Sequence, residues 1–336
     1  MKSQTIINVT KEIRSKPKKL AQKDIRLFEH EFSTTLPKVI GMELRNVTVL
    51  RDVIFSLSKL TYYKSLTHIF KPTTKYFLNR LRLLLTSSNK IKFGIWIVDE
   101  ISAEYFHWFT DALTRLKAIE SNENVEILKQ QFYIILPDFY QQKQYIVHSI
   151  HMMGYNALFY DTKKRLQIGT LLSCSHTAPT GNYNTELINS INKCLTPKCL
   201  SAPNRMIYIS RSKAIKRKVS NEDEVIQILL LFKVEIHIFE NYSFAEQLKI
   251  MSATKSLISI HGAGLTNMLF MKKGGQILEL RNEGDNQNNC YFSLSSSMDH
   301  DYYYLNCHGD KEDTNSVNIT VDLLALKTLM GQIIDN

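Results

Sequence analysis

Residues 255–270 read KSLISIHGAGLTNMLF. A run rich in β-branched residues ends at Ile260, a Gly-Ala-Gly turn follows His261, and apolar residues resume from Leu265. This pattern predicts a buried strand, Lys255–Ile260, that turns sharply into a helix starting at Leu265. Small residues let a ligand approach the backbone, and a helix start offers N–H groups that have no intrahelical partner. On both sides the pattern continues. Strands are predicted at Met206–Ser210, Val234–Phe239, Gln276–Leu280 and Tyr302–Asn306, and helices at Asn221–Phe232, Ser243–Ala253 and Tyr291–Met298. Asn221 with Glu222–Glu224 suits a helix start, and Ser243 with Glu246 forms a capping box. Such βαβα alternation over about 100 residues predicts a parallel sheet with helices on both faces. Ligands of these sheets bind outside the carboxyl ends of the strands.

Working outward, residues 196–204 (TPKCLSAPN) carry two Pro and read as a linker. Before it, Val47–Tyr63 reads as two antiparallel strands, residues 75–86 as a helix and Ile91–Val98 as a buried strand. Ala103–Ile119 reads as an amphipathic helix and Gln131–Leu136 as a strand stopped by Pro137. A helix over 139–153 ended by Gly154, a loop at 173–184 and a short helix at 185–195 complete this half. Residues 1–35 read as helix or loose tail, and Val321–Ile334 as a last amphipathic helix. The expected division is a basic segment 1–35, a first domain 36–195, a second domain 205–310 and a C-terminal helix 320–336.

The chain of 336 residues has 44% hydrophobic and 22% charged residues, which supports a sizeable core and excludes wholesale disorder. With 12 Gly and 7 Pro it is neither collagen-like nor of low complexity. Cys174, Cys194, Cys199, Cys290 and Cys307 form no CxxC pair, which argues against a disulfide framework or zinc knuckle. No stretch has the length of a membrane span and the N-terminus has no apolar signal region, so a soluble, cytoplasmic protein is expected. The net charge of +10 is local. Residues 1–28 carry eight Lys/Arg against Glu12 and Asp24, and residues 211–218 (RSKAIKRK) carry five Lys/Arg and no acid. Such charge suits an anionic partner: for 1–28 an acidic membrane surface, for 211–218 a phosphate. A nucleic-acid module would want aromatics interleaved with the basic residues on one face. Here TYYK (61–64) and YYYL (302–305) read as strands instead, so no nucleic-acid partner is expected.

A phosphate is the natural guest of the Gly turn. The run is not a full GxGxxG, since Asn267 stands where a third Gly would extend it, and no GxxxxGK[ST] occurs. Arg211 ends the first strand of the same half and so reaches the same sheet edge. A guanidinium binds phosphate in bidentate fashion, with Lys213 and Arg217 following on the loop. Glu279 ends the next strand, where a carboxylate accepts from ribose hydroxyls or makes an ion pair. Asp299-His300-Asp301 is a DxD, but it lies late in the chain and far from these strands, so no metal is expected there. Asp99-Glu100 reads as the cap before the helix at 103–119.

These residues resemble glycosyltransferase family 61. The matching text is Tyr208-Ile-Ser-Arg211, Arg217, Asn221-Glu222, Phe244-Ala-Glu-Gln247, Ser259-Ile-His-Gly-Ala-Gly-Leu-Thr-Asn-Met-Leu-Phe270 and Leu278-Glu279. Upstream, Tyr105-Phe-His107-Trp108, Asp111 and Leu113-Thr-Arg115 resemble the family's His-rich helix, with Thr114 in place of the usual Pro. The resemblance covers roughly residues 90–305. It implies an α/β, GT-B-like architecture: two Rossmann-like domains facing a cleft, with the C-terminal helix crossing back to the first. It further implies an inverting, metal-independent transferase acting from a nucleoside diphosphate sugar, a UDP-sugar first, onto a glycan or saccharide acceptor in surface or capsular polysaccharide synthesis. The nucleotide-sugar site would comprise Arg211, Arg217, His261, Gly262, Ala263, Gly264, Leu265, Thr266, Asn267 and Glu279, with no cofactor or metal. Inversion needs a base on the acceptor side. Asp111 and His107, one turn apart, are the expected pair, either one the base and the other its orienter, with Glu100 and His176 behind them. The other readings kept open are a nucleotide-sugar-binding protein without activity and, behind it, a basic nucleic-acid-binding module.

Overall fold

The computed structural model describes residues 2–63, 66, 73–198, 201–314 and 316–334. Lys64 of the TYYK run, Cys199 and Leu200 of the expected linker, and the last two residues of the expected C-terminal helix lie outside these. The chain divides into two compact units. Unit 1 is Met1–Thr10 with Leu36–Pro179, and unit 2 is Lys11–Thr35 with Thr180–Asn336. The sequence division set residues 1–35 apart and gave 180–195 to the first half. Instead the helix Thr185–Leu195 belongs to unit 2, with Leu187, Ile188, Ile191 and Leu195 buried. No helix among the described residues is long and apolar enough to cross a membrane.

The basic N-terminal stretch is not a loose tail: it is helical only over residues 22–31, and strands flank that stretch. β1 (Lys2–Ile7) pairs antiparallel with β4 (Val39–Leu50) of unit 1, while β2 (Thr10–Ile13) and β3 (Ser33–Leu36) pair with each other. Residues 11–35 pack as a strap within unit 2. Arg14 is buried and donates to Tyr183 O at 2.7 Å and to Ser297 Oγ, and Lys18 N donates to Tyr302 O at 2.7 Å. Phe28 is fully buried between Phe292, Tyr302 and Tyr304. Lys11, Lys16, Lys18, Lys19 and Lys23 stay exposed, so the strap buries Arg14, Pro17 and Phe28 and leaves these ammonium groups in water.

Unit 1 is built on one mixed sheet. β5 (Val53–Ser56) and β6 (Thr61–Tyr62) continue antiparallel from β4. β7 (Ser88–Trp96), β8 (Tyr133–Pro137), β9 (Asn156–Tyr160) and β10 (Arg165–Cys174) are mutually parallel where they pair, and the order is β6-β5-β4-β10-β7-β8-β9. β10 sits centrally, antiparallel to β4 and parallel to β7. The mixed sheet departs from the Rossmann-like sheet expected of this half, because residues 39–62 supply an antiparallel meander.

Unit 2 carries the regular pattern read from the sequence. β11 (Arg205–Ile209), β12 (Glu235–His237), β13 (Thr254–Ile260), β14 (Gln276–Asn282), β15 (Asp301–Gly309) and β16 (Ile319–Thr320) lie in the order β12-β11-β13-β14-β15-β16. The first five are parallel and β16 is antiparallel to β15. Helices Glu222–Leu231, Phe244–Ser252 and Cys290–Ser297 connect them. The Ser243–Glu246 capping box forms as expected. Asn221 does not cap its helix; its amide exchanges two hydrogen bonds of 2.9 Å with the backbone of Val321. The final helix Leu323–Ile334 does not cross back to the first half. Its Leu326, Met330 and Ile333 pack with Tyr208, Val225, Ile258 and Leu280 in the unit 2 core.

Candidate functional site

In unit 2 the strand order reverses between β11 and β13. In an open parallel sheet that switch point, at the carboxyl ends, is where ligands bind. Arg211 follows β11 there and His261-Gly262 follows β13. Their approach is close: a β-carbon on Gly262 would stand 3.0 Å from Arg211 Nη1. Arg211 Nε and Nη2 donate to the carbonyls of Arg217 and Lys216, at 3.2 and 3.4 Å, and so tie down the basic loop. Burial, and then the positive charge of Arg217, push the Arg211 guanidinium below its ordinary value. Arg217 has left-handed backbone (φ 59°), and its buried Nε has no hydrogen-bond partner among the described residues. Arg217, His261, Arg281 and Asp285 line one small hollow. Lys213 turns away to Asn241.

The turn after His261 is a 3₁₀ helix, Ala263–Phe270, not an α-helix. Its first bond runs from Leu265 N to Gly262 O at 2.9 Å, and the N–H groups of Ala263 and Gly264 stand ahead of it. Of the expected nucleotide-sugar residues, Leu265, Thr266 and Asn267 are buried, and the Asn267 amide bonds back to Gly264 O at 2.9 Å. The Asn267 side chain thus holds the turn. Gly264 also serves packing, since a β-carbon there would meet Ile209 Cγ2 and Ser259 Oγ at 3.3 Å.

Glu279 makes the ion pair that was one of its two expected roles. It is 0% exposed, and both oxygens are taken. Oε1 receives His261 Nδ1 at 2.5 Å and Oε2 receives the Tyr302 hydroxyl at 2.6 Å. The carboxylate is fully enclosed. Burial alone would raise its pKa, but His261, Arg281 and Tyr302 outweigh this and hold the carboxyl below its ordinary value. Glu279 thus fixes the His261 ring and leaves Nε2, beside the Asn288 amide at 3.2 Å, on the outer side. Tyr302 and Arg281 were missed as site residues. Tyr302 reads as an ordinary strand aromatic, and only the pairing of β14 with β15 brings it to Glu279. The DxD splits: Asp299 pairs with Lys273 at 3.5 Å and Asp301 with Lys18 at 3.0 Å, while His300 is buried between Gly275 N and Met268 O.

In unit 1 the carboxyl ends of the parallel strands β7 and β10 carry two further His–carboxylate pairs. His107 Nδ1 lies 2.7 Å from Asp111 Oδ2, and His176 Nε2 lies 3.3 Å from Asp99 Oδ2. The first pair sits on a helix that changes gauge: Tyr105–His107 is α, Trp108–Ala112 a π turn and Leu113–Glu120 α again. Such turns occur often at functional sites. Asp111 is buried, whereas the His107 side chain keeps 22% exposure. The Thr114 hydroxyl lies 2.9 Å from the carbonyls of both Thr110 and Asp111. Arg115 is buried and donates to Ile97 O at 2.8 Å and Cys174 O at 2.9 Å, which pins the helix to the ends of both strands. Asp99 does not cap the helix. It accepts from Ile101 N and Ser102 Oγ in its own turn, and although burial opposes ionisation, His176, Ser102 and Arg115 keep its pKa far below the carboxylate range. Glu100 is exposed.

The model of the family described as Glycosyltransferase 61 matches residues 105–278, just over half of the chain. Among curated proteins, an EGF domain-specific O-linked N-acetylglucosamine transferase of Bos taurus is 27% identical over 158 residues, which are 46% of this chain and 28% of that protein. The protein of the same description in Drosophila melanogaster is 39% identical over 94 residues, 27% of this chain and 18% of that protein. That of Mus musculus is 33% identical over 96 residues, again 27% and 18%. Each match thus spans less than a third of the relative's own length. The family match takes in His107, Asp111, His176, Arg211, Arg217 and the whole turn from His261 to Asn267, and the chain belongs to the glycosyltransferase 61 family.

Proposed function

We propose that this chain is an inverting glycosyltransferase that moves a sugar from a nucleoside diphosphate donor to a glycan acceptor. The donor diphosphate is assigned to the unit 2 switch point. The carrying observation is the convergence of Arg211, Arg217 and His261 there, with Arg217 Nε buried and without a partner among the described residues and the two guanidiniums repelling each other. An anion between them relieves that repulsion, and each charge-assisted bond it accepts contributes about 1.5–3 kcal/mol. These groups supply positive charge for the leaving diphosphate directly, so a metal-free departure is part of the proposal. The names of the relatives make UDP-N-acetylglucosamine the first donor to try. In a GT-B-like enzyme the base belongs to the other unit, and we assign it to His107. With Nδ1–H donated to buried Asp111, Nε2 presents a lone pair to an acceptor hydroxyl. The exposed lysines of the strap suit contact with an acidic membrane surface.

The test is thermal unfolding with UDP and UDP-N-acetylglucosamine in chelator. At about 100 times its dissociation constant a ligand adds ~2.7 kcal/mol. Stabilisation that requires Mg²⁺ or Mn²⁺ overturns the metal-free reading. No stabilisation by any nucleoside diphosphate, with or without metal, overturns the donor site.

A further inference from the structure

We infer that Arg281 is a positioning residue that holds the His261 ring from both sides. The inference rests on the proposal that His261 meets the donor diphosphate. Arg281 lies on β14 two residues beyond Glu279 and is only 2% exposed. Its guanidinium divides its donors between two arms. On one arm Nη1 donates to the Tyr302 hydroxyl at 3.3 Å, Tyr302 donates to Glu279 Oε2 at 2.6 Å, and Glu279 Oε1 takes His261 Nδ1. On the other, Nη2 donates to the carbonyls of Asp285 and Asn288, both at 3.3 Å, and Asn288 sets its amide 3.2 Å from His261 Nε2. One planar cation thus fixes what each ring nitrogen meets. The fork of five donors makes this possible; a lysine ammonium could not serve both arms.

The N-terminal strap closes the hub. Arg281 Nη1 also donates to Asn289 Oδ1 at 3.0 Å, and the Asn289 amide donates to Leu27 O at 2.5 Å. The Phe28 ring lies 5.1 Å from the guanidinium carbon. The chemical consequence concerns the proton on His261. With Glu279 kept ionised, the neutral ring carries its proton on Nδ1, and Nε2 becomes a donor to phosphate oxygen only when a second proton is taken up. The titratable and charged groups around the ring are Glu279 and Arg281 on β14, Tyr302 on β15, Tyr291 against the ring at 4.9 Å, and Arg217 and Asp285 in the shared hollow.

The experiment uses the full chain with ¹⁵N-imidazole labelling, His261 being assigned by His261→Gln. Tyr302→Phe cuts the first arm and keeps the ring packed against Phe28 and Phe292, and Asn288→Ala cuts the second at an exposed position. Each is expected to change the His261 ring ¹⁵N shifts, which report what each ring nitrogen is bonded to, in the ligand-free protein. UDP affinity should fall about fivefold in Tyr302→Phe, with no further loss when His261→Gln is already present. Arg281→Lys, if folded, should show both defects together; if it does not fold, the two arm variants carry the test. Ring ¹⁵N shifts unchanged in both arm variants, or equal UDP losses with and without His261, overturn the inference. If UDP fails to bind the unaltered chain, the donor site is what falls, and the ligand-free ring shifts still decide the role of Arg281.

Discussion

Gly262 and Gly264 stand two positions apart and serve different neighbours. Gly262 leaves room for the Arg211 guanidinium, whereas Gly264 leaves room for Ile209 and Ser259 of the adjacent strands. Gly262→Ala should therefore weaken UDP binding about tenfold with little change in melting temperature, by crowding Arg211. Gly264→Val should instead lower stability by about 1–3 kcal/mol through overpacking. Arg211→Ala should cost UDP at least ~10-fold in affinity and uridine almost nothing, since one lost charge-assisted bond is worth about 1.5–3 kcal/mol. Calorimetric titration with both ligands reads this. Equal losses would leave Arg211 only its tie to the 216–217 carbonyls. At this scale the sequence showed which residues gather at the sheet edge, because a strand followed by a Gly turn places them there. It did not show which way they face. All seven residues of β14 are buried, so the alternation that would mark Glu279 as inward-facing is absent.

The helix Tyr105–Glu120 is legible as an element and illegible in its gauge. Apolar spacing predicts its existence, but a π turn has no compositional mark, and here it forms within Trp108–Ala112 between the two members of the pair. Its register decides that Asp111 points inward while His107 keeps an open edge. Asp111→Asn keeps the volume but replaces an acceptor with an amide that no longer fixes the Nδ1–H form of His107. Turnover should fall at least ~100-fold with donor affinity unchanged, His107→Ala should match it, and the double variant should be no worse than the poorer single. Steady-state transfer together with donor titration measures this. Near-normal turnover in both singles moves the base to His176, which Asp99 holds in a similar way. Among the strands, β9 and β10 escaped the sequence reading. β10 lies between β4 and β7, and its residues 168–173 include Gly169, Thr170 and Ser173, which dilute the apolar alternation that marks a strand.

For the molecule as a whole, acid should expose one buried imidazole. His300 accepts from Gly275 N and donates to Met268 O, an arrangement that only the neutral ring satisfies, and burial pushes its pKa down to about 4. The folded value lies below the unfolded value of about 6.5, so its contribution is complete above pH 6.5 and is lost as pH falls toward 4. The size is roughly 3 kcal/mol. Melting temperature should drop across that window, and His300→Asn, less stable at neutral pH, should show a flatter slope. An unchanged slope would mean that His300 titrates normally. The division into units was only partly readable. Composition showed the basic N-terminus, but its attachment depends on partners nearly three hundred positions away, such as Ser297 for Arg14.

That attachment has a consequence for how the chain is made. Arg14 waits for Ser297, 283 residues later. At ribosomal rates of about 5–20 residues per second this is a delay of roughly 15–60 s. Unit 1 has all its residues once Pro179 has emerged, whereas unit 2 needs both ends of the chain. During synthesis the strap therefore exists as an unpartnered cationic segment, with Phe28 uncovered, while unit 1 folds behind it. Its lysines, exposed in the folded chain, need no partner during that wait.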